Sequence, residues 1–550
     1  MLFLAGFLFL LMGCNQLEPV QQSSEIGQIV AQIPLDRPMD CTGAFTKHEL
    51  DHITTNAYEP VNMYDSNGAG VAVNDLDNDG DVDIVLANLA GKNQIFWNLG
   101  RMNFRPEPFD HGSSRAVSTV DVDGDGWLDI VFTTRVGSLL YYKNLADDWT
   151  GEGMRFDRTP LVGVDEKAYA MTWGDLDKDG DLDLVTGSYD TALEKELRDS
   201  FMFGDGAGVF VFTNQGDHFT QERLAEKSQA LAIQLLDINF DGRDDILVGN
   251  DFDSMLDYYF LATGSGGWEQ VAPFDVTTQN TMSFDLGDIN NDGQQELFAA
   301  DMHPYKFDAQ TDEEWKFAME MMMEGEIIPG DPQIMENVMQ TIDEDGNWQN
   351  MAADIGVNFS GWSWSSRFAD LDQDGFQDLY IVNGMATSET FSHLPDFELI
   401  EENQAFRNDG TGMFEAATDW RLNQTEGGRG MTLADLNDDG DLDIVINNLL
   451  KPATILENRV CGGDSLHIEL RDENVQNTFA IGSKIVLETS VGRMIRDTRA
   501  NSGYLSGDTT GVHFGIPREA EIFSMEVTWP DGEVSNFSKI LPNQKIIISR

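Results

Sequence analysis

The stretch Asp75-Leu76-Asp77-Asn78-Asp79-Gly80-Asp81-Val82-Asp83 puts carboxylates at alternate positions around one glycine, and a short β-rich run, Asp83 to Leu86, follows at once. The pattern D-x-[DN]-x-D-G-x-x-[DE] returns at Asp121 (DVDGDGWLD), Asp175 (DLDKDGDLD), Asp237 (DINFDGRDD), Asp288 (DINNDGQQE), Asp370 (DLDQDGFQD) and Asp435 (DLNDDGDLD). With ordinary residue usage a window matches by chance roughly once in 10⁵, so seven copies are a repeat.

The flanks identify the repeating unit. DIVLAN, DIVFTT, DLVTGS, DILVGN, ELFAAD, DLYIVNG and DIVINN follow the loops, and all are strand-like. An EF-hand has the same early ligand spacing but needs flanking helices and a Glu at its twelfth position, and this chain has neither. A second hairpin signal, Asn then Gly then Phe, recurs at Asn98, Gly100 and Phe104, at Asn214, Gly216 and Phe219, and at Asn408, Gly410 and Phe414. Each unit is thus about four strands. Loop starts are 46 to 82 residues apart, the size of a propeller blade with insertions. Stacking such units radially covers both faces of every sheet. The predicted fold is all-β: a seven-bladed β-propeller over residues 42–460. An open β-solenoid is the alternative, whereas calcium-binding parallel β-helices have a shorter period and a Gly-Gly start.

Calcium takes roughly six to eight oxygens in flexible geometry, and such a turn supplies them from alternate side chains plus one carbonyl. The predicted ligands are Asp75, Asp77, Asp79, Asp81 and Asp83 in the first loop, then Asp121, Asp123, Asp125, Trp127 and Asp129 in the second. The third offers Asp175, Asp177, Asp179, Asp181 and Asp183, and the fourth Asp237, Asn239, Asp241, Arg243 and Asp245. The fifth offers Asp288, Asn290, Asp292, Gln294 and Glu296, the sixth Asp370, Asp372, Asp374, Phe376 and Asp378, and the seventh Asp435, Asn437, Asp439, Asp441 and Asp443. Position seven varies freely, as expected if only its carbonyl is used. Position six is always Gly, which suits a sharp turn with positive φ. The competing reading is a set of plain Asp-Gly turns. Unpaired carboxylates converging on one turn repel each other, and a bound divalent cation reverses that sign. Magnesium prefers ideal octahedra, and copper, zinc or iron would call for His or Cys, whereas the eight His are scattered. Calcium at up to seven sites is therefore the expected cofactor, with the fifth loop the weakest.

Composition narrows the partners. The 550 residues carry 96 Asp and Glu against 34 Lys and Arg, a net charge of −62. Such a field repels phosphate backbones and anionic headgroups, so nucleic acid is not an expected partner. Residues 1–13 read as a secretory signal, and Leu11-Met12-Gly13-Cys14 resembles the bacterial lipobox, which would make Cys14 the lipidated N-terminus and the lipid the only membrane contact. No Lys or Arg precedes the apolar run, so an ordinary signal peptide or a buried strand remain alternatives. Residues 14–41 read as a tether. Cys41 and Cys461 flank the repeats, and a closed ring would bring them together, as a disulfide or as two separate small buried residues.

The longest gap holds a predicted helix, Thr311 to Met323, within an insertion near 308–340, with Thr311 and Glu314 spaced as a capping box and Gly325 to end it. Its Met319, Met321, Met322 and Met323 either pack on the scaffold or form an adaptable partner surface. A second insertion, around Ala192 to Gly208, reads as a face loop. Over 461–550 the Asp loops stop, and alternating strands with a Trp529-Pro530-Asp531-Gly532 turn predict a small β-sandwich-like domain.

The seven loops, the GWSWSSRFADLDQDG stretch from Gly361 to Gly375, Gly503-Tyr504-Leu505-Ser506, His513-Phe514-Gly515 and VTWPDG together resemble FG-GAP or VCBS-type repeats followed by an ASPIC/UnbV domain, the arrangement of the cartilage acidic protein family. Relatives usually read Phe-Gly-Leu-Gly where this chain has Phe514-Gly515-Ile516-Pro517. The resemblance implies calcium-dependent blades like those of integrin α heads, and extracellular recognition or adhesion, with no established reaction. His513, between Val512 and Phe514, reads as a packed histidine.

The sequence reading is therefore a calcium-binding surface lipoprotein, at the outer membrane or cell surface of a bacterium, recognising a protein or glycan. No catalytic constellation stands out. One rival is a polysaccharide-active enzyme, which would need an acid pair near the channel outside the loops. The other is an accessory subunit of a surface transport or assembly complex.

Overall fold

Each Asp loop starts where one strand ends and finishes as the next begins. Asn74 pairs with Asp83, Val120 with Asp129, Gly174 with Asp183, Leu236 with Asp245, Gly287 with Glu296, Ala369 with Asp378 and Ala434 with Asp443. The ninth loop residue thus opens a strand seven times. The structure, a computed structural model, describes residues 27–36, 40–151, 153–197, 208–251, 255–322, 330–343 and 345–550. The predicted signal and the lipidation site at Cys14 lie outside the described residues.

Seven antiparallel sheets, each built on four strands, carry one loop apiece. Their innermost strands are Val71–Asn74, Ser114–Val120, Ala170–Gly174, Ala230–Leu236, Ser283–Gly287, Gly361–Ala369 and Gly428–Ala434. Each packs on the next and the last on the first, closing a ring. At the closing seam Val71, Val73, Ile84 and Leu86 of the first blade share a core with Ala434, Val445 and Ile455 of the seventh. Nearly every residue of the inner and second strands is buried, because neighbouring blades cover both faces.

The ring is closed by exchange of its ends. Thr46–Ile53 forms the outer strand of the seventh blade, antiparallel to Pro452–Glu457. Just beyond, Cys41 and Cys461 are joined in a disulfide with Cα atoms 5.7 Å apart across a separation of 420 residues.

The C-terminal domain is a sandwich of two four-stranded sheets. One orders Gln28–Pro34, Gln544–Ser549, Asp464–Arg471 and Val512–Ile516, and the other Gly492–Asp497, Lys484–Thr489, Ile522–Thr528 and Val534–Ser538. Leu466, Ile468, Leu487, Met525, Trp529 and Ile546 fill the space between them. The supposed tether needs correction here. Gln28–Pro34 pairs with Gln544–Ser549, so part of the N-terminal segment supplies an edge strand to the C-terminal domain and satisfies backbone groups that would otherwise stand open.

Among the described residues two α-helices lie on the face away from the Asp loops, because each follows a second strand running away from its loop. The first, α1, is Asp190–Leu197, within the insertion read as a face loop. The second, α2, is Ala309–Met322. It starts before the predicted Thr311, because Asp308 Oδ1 accepts the Gln310 and Thr311 amides at 2.9 and 3.0 Å and so caps it. Trp315 and Ala318 are buried; Met319 and Met322 pack against the core, while Met321 is exposed. Among the described residues no helix is long and apolar enough to cross a membrane.

Candidate metal centres

The loops repeat one hydrogen-bond pattern. The glycine amide at position six donates to the first Asp in all seven, from Gly80 to Asp75 at 2.9 Å through Gly440 to Asp435 at 2.8 Å. The amide at position seven donates to the carboxylate at position five, as Asp81 does to Asp79 at 3.0 Å. The amide at position two donates to the ninth residue, as Leu76 does to Asp83 at 3.1 Å. These bonds aim the carboxylates at the turn's interior before any ion arrives.

Position six has positive φ throughout, 83° to 100°, as the invariant Gly predicts. Position four is also left-handed in every copy, and only Gly124 is a glycine there. Asn78, Lys178, Phe240, Asn291, Gln373 and Asp438 have φ between 56° and 63°. Asn, Asp and Gly, which tolerate that region, hold four of the seven positions, and the tightly bonded turn imposes it on Lys178, Phe240 and Gln373 as well.

Carboxylate oxygens of Asp75, Asp77 and Asp83 lie within 4.8 Å of one another, as do those of Asp121, Asp123 and Asp129, of Asp175, Asp177 and Asp183, and of Asp370, Asp372 and Asp374. These four loops have Asp at position three. The fourth, fifth and seventh have Asn239, Asn290 and Asn437, which keep an oxygen without the charge. Several of the gathered oxygens are buried without a hydrogen-bond partner: Oδ1 of Asp77, of Asp175 and of Asp372. Burial, reinforced by neighbouring carboxylates, pushes Asp75, Asp121, Asp175 and Asp288 up to about 6 and Asp83, Asp183 and Glu296 up to about 8. Hard oxygens, orphaned lone pairs and mutual repulsion fit a divalent cation that binds oxygen ligands, and these residues would hold it.

Side chains at position seven make contacts of their own, beside the carbonyl that the sequence reading assigns to the metal. Arg243 pairs with Asp241 in its own loop. The Trp127 ring lies under the Arg155 guanidinium at 4.8 Å, and Asp181 and Asp441 are buried. Cations also approach two other loops, Lys143 at Asp123 and Asp125 and Arg407 at Asp372.

A second set of residues ties the loops together. Asn98, Asn144, Asn408 and Asn458 each donate a backbone amide to their own blade's ninth-position carboxylate, at 2.7 to 2.9 Å. Their side-chain amides reach the position-two carbonyl of the preceding blade: Leu436, Leu76, Ile289 and Leu371 respectively. Two of these asparagines were legible as hairpin punctuation, but the bond between blades was not.

The loop face is covered by the C-terminal sandwich. Asn477 N donates to Gly180 O at 2.8 Å, Arg493 N to Asn291 O at 3.1 Å, Ile495 N to Asp288 Oδ2 at 3.2 Å, and Thr478 Oγ1 to Asp121 Oδ2. His513 Nε2 lies 3.1 Å from the Gly440 carbonyl, packed beside His467. From this cap the hairpin of Asn501–Ser502 and Ser506–Gly507 enters the channel. Gly507 pairs with Ala72, Gly503 N donates to Phe284 O, the Asn501 side chain meets Ser118, and Thr432 donates to Gly507 O. Three acids around this plug and the channel are paired: Asp285 with Arg499 at 3.0 Å, Asp508 with Arg367 at 2.6 Å, and Asp65 with Arg135 at 3.1 Å.

The family model for ASPIC and UnbV matches residues 473–550, and that for FG-GAP-like repeats matches 75–132, 121–186, 237–299 and 397–446. Cartilage acidic protein 1 of Mus musculus is 30% identical over 172 residues, covering 30% of this chain and 25% of that protein. The Homo sapiens protein is 28% identical over 171 residues, covering 30% and 24%. The match thus spans about a quarter of those relatives. Among solved structures, BBS1N in complex with ARL6DN, soaked with mercury, aligns with a TM-score of 0.40 at 10% identity, covering 75% of this chain and 96% of that one. With its repeats and its C-terminal domain each matched where the sheets divide, the chain belongs with the FG-GAP-repeat proteins that carry a C-terminal ASPIC/UnbV domain, the cartilage acidic protein-like family.

Proposed function

We propose that this protein is a calcium-organised recognition or adhesion module acting outside the cell, held to a bacterial surface through lipid on Cys14 and binding a protein or glycan. The observation that carries the metal half of this reading is the gathering of buried, partnerless carboxylate oxygens at one turn after another. Calcium there would replace repulsion by attraction, and since five loops touch the C-terminal cap, it would set the cap as well as the blades. The recognition half is supported by the repeat family and by a channel filled from one end, which leaves the far face to a partner.

Thermal unfolding of the mature chain in EDTA, with calcium or magnesium then added back, tests the metal half, alongside metal analysis of the purified protein. Ligand binding to the native state alone must raise the midpoint. A calcium-specific rise with several bound ions is expected. No shift and no bound metal would reduce the loops to plain turns and sink the reading.

A further inference from the structure

The seven Asp loops are not equivalent, and the difference lies in their nearest cations. The first and third loops each place five aspartates at alternate positions, Asp75 to Asp83 and Asp175 to Asp183. Among the described residues no Lys, Arg or His lies within ion-pair distance of any of them. Arg155 and Lys545 act on Asp77 and Asp81 only from further off. Oxygens are left over as a result. Oδ1 of Asp77, of Asp175 and of Asp181 is buried without a hydrogen-bond partner, and Asp181 as a whole is only 8% exposed.

The second and fourth loops are built differently. The second has four aspartates at its ligand positions, and the Lys143 ammonium, from the third strand of the same blade, pairs with Asp123 and, at 3.1 Å, with Asp125. The fourth has three, and Arg243, itself at position seven, pairs with Asp241. Neither loop has an orphaned buried carboxylate oxygen among the described residues. The sixth loop sits between the two kinds: Arg407 is divided between Asp372 and Asp419, and Asp372 Oδ1 stays orphaned. A fixed cation and a metal ion have the same sign, so whichever is present offsets the repulsion that the other would relieve. Lys143 and Arg243 are 34% and 36% exposed, so solvent screens these pairs and metal competes with them rather than being shut out.

We propose that Lys143 and Arg243 are tethered counter-ions that set an order of calcium binding. The first and third loops fill tightly and carry the metal dependence of the fold. The second and fourth hold their shape without metal and fill only at higher calcium. This rests on the metal reading above and deepens it by assigning which loops respond at which calcium level.

Equilibrium dialysis of the full mature chain against buffered free calcium, with bound calcium counted per chain, tests the order. Wild type should bind in at least two classes. Lys143→Gln should tighten one equivalent of the weaker class by about tenfold, the repulsion expected of a single and a double charge a few ångströms apart in a water-like dielectric. Lys195→Gln removes the same charge from α1 on the opposite face, where salt screens it from the loops, and should leave the curve as in wild type. Asp175→Asn should weaken one equivalent of the tight class. A single uniform class, a Lys143→Gln curve that matches wild type, an equal tightening in Lys195→Gln, or an unchanged tight class in Asp175→Asn would overturn the order and leave the metal reading standing. Binding of no calcium at all would overturn both, and the EDTA melting experiment would then show no shift.

Discussion

The Tyr504 hydroxyl lies 2.9 Å from that of Tyr169, 335 residues earlier in the chain, and donates to the Asn67 carbonyl at 3.0 Å. One side chain of the C-terminal sandwich is thus bonded deep inside the ring, between segments entering the first and third blades.

Removing that plug residue should loosen both domains together. Tyr504→Ala deletes a fully buried aromatic and should cost about 3–5 kcal/mol, whereas Tyr504→Phe leaves the Asn67 carbonyl unpaired and should cost roughly 1–3 kcal/mol. Urea unfolding followed by intrinsic fluorescence separates the two. If Tyr504→Ala unfolds with the wild-type midpoint, the hairpin does not hold the cap in the ring.

Asp77→Asn should change stability in opposite directions in the two metal states. Asp77 Oδ1 is buried and partnerless, and burial with the adjacent Asp79 pushes the carboxyl above its ordinary range. Neutralising it relieves repulsion in EDTA, so the metal-free melting midpoint should rise. In calcium the variant should melt below wild type, having lost a charged ligand. The same sign in both buffers would argue against an ion in the first loop.

Stability should run oppositely with pH in the two states. Without metal, burial holds Asp83 and Asp183 up to about 8 and Asp75 and Asp175 up to about 6, against 3.8 for a free Asp. The folded protein then binds more protons than the unfolded chain. The stabilisation from protonating these groups is complete below about pH 3.8 and is lost as pH rises through 6 to 8. Metal-stripped protein should therefore melt lower at pH 8 than at pH 5.5, other groups being equal. Calcium needs the ionised form, so the calcium-induced rise in midpoint should be larger at pH 8. Scanning fluorimetry on stripped and reloaded protein at both values reads each sign.

Asn98 holds the seam where the ring closes, its side-chain amide donating to the Leu436 carbonyl of the seventh blade at 2.8 Å. Asn98→Ala strands that carbonyl and the Val82 carbonyl, and should cost about 2–4 kcal/mol. Asn98→Asp should do no better, because a carboxylate cannot donate. Guanidinium midpoints of the two variants decide this, and a wild-type midpoint for either would remove the latch from the account of closure.

The sequence by itself determined the blades and the positions of the Asp loops. Seven Asp loops each hand over to a β-rich run, and alternating oxygens around an obligatory Gly are a local property that needs no knowledge of distant segments. Local spacing also located the α2 insertion, although Asp308 rather than Thr311 proved to be its cap. Only the tertiary structure decided what lies far apart in the chain. It paired Gln28–Pro34 with Gln544–Ser549, sent Asn144 to Leu76 across a blade boundary, drove Tyr504 into the channel, and gathered methionines from separate blades around one cavity. Those contacts depend on ring closure, which joins residues hundreds of positions apart through shape and burial. A periodic pattern records how each unit folds, but it carries no signal for which side chain of another unit will meet it once the ring is shut.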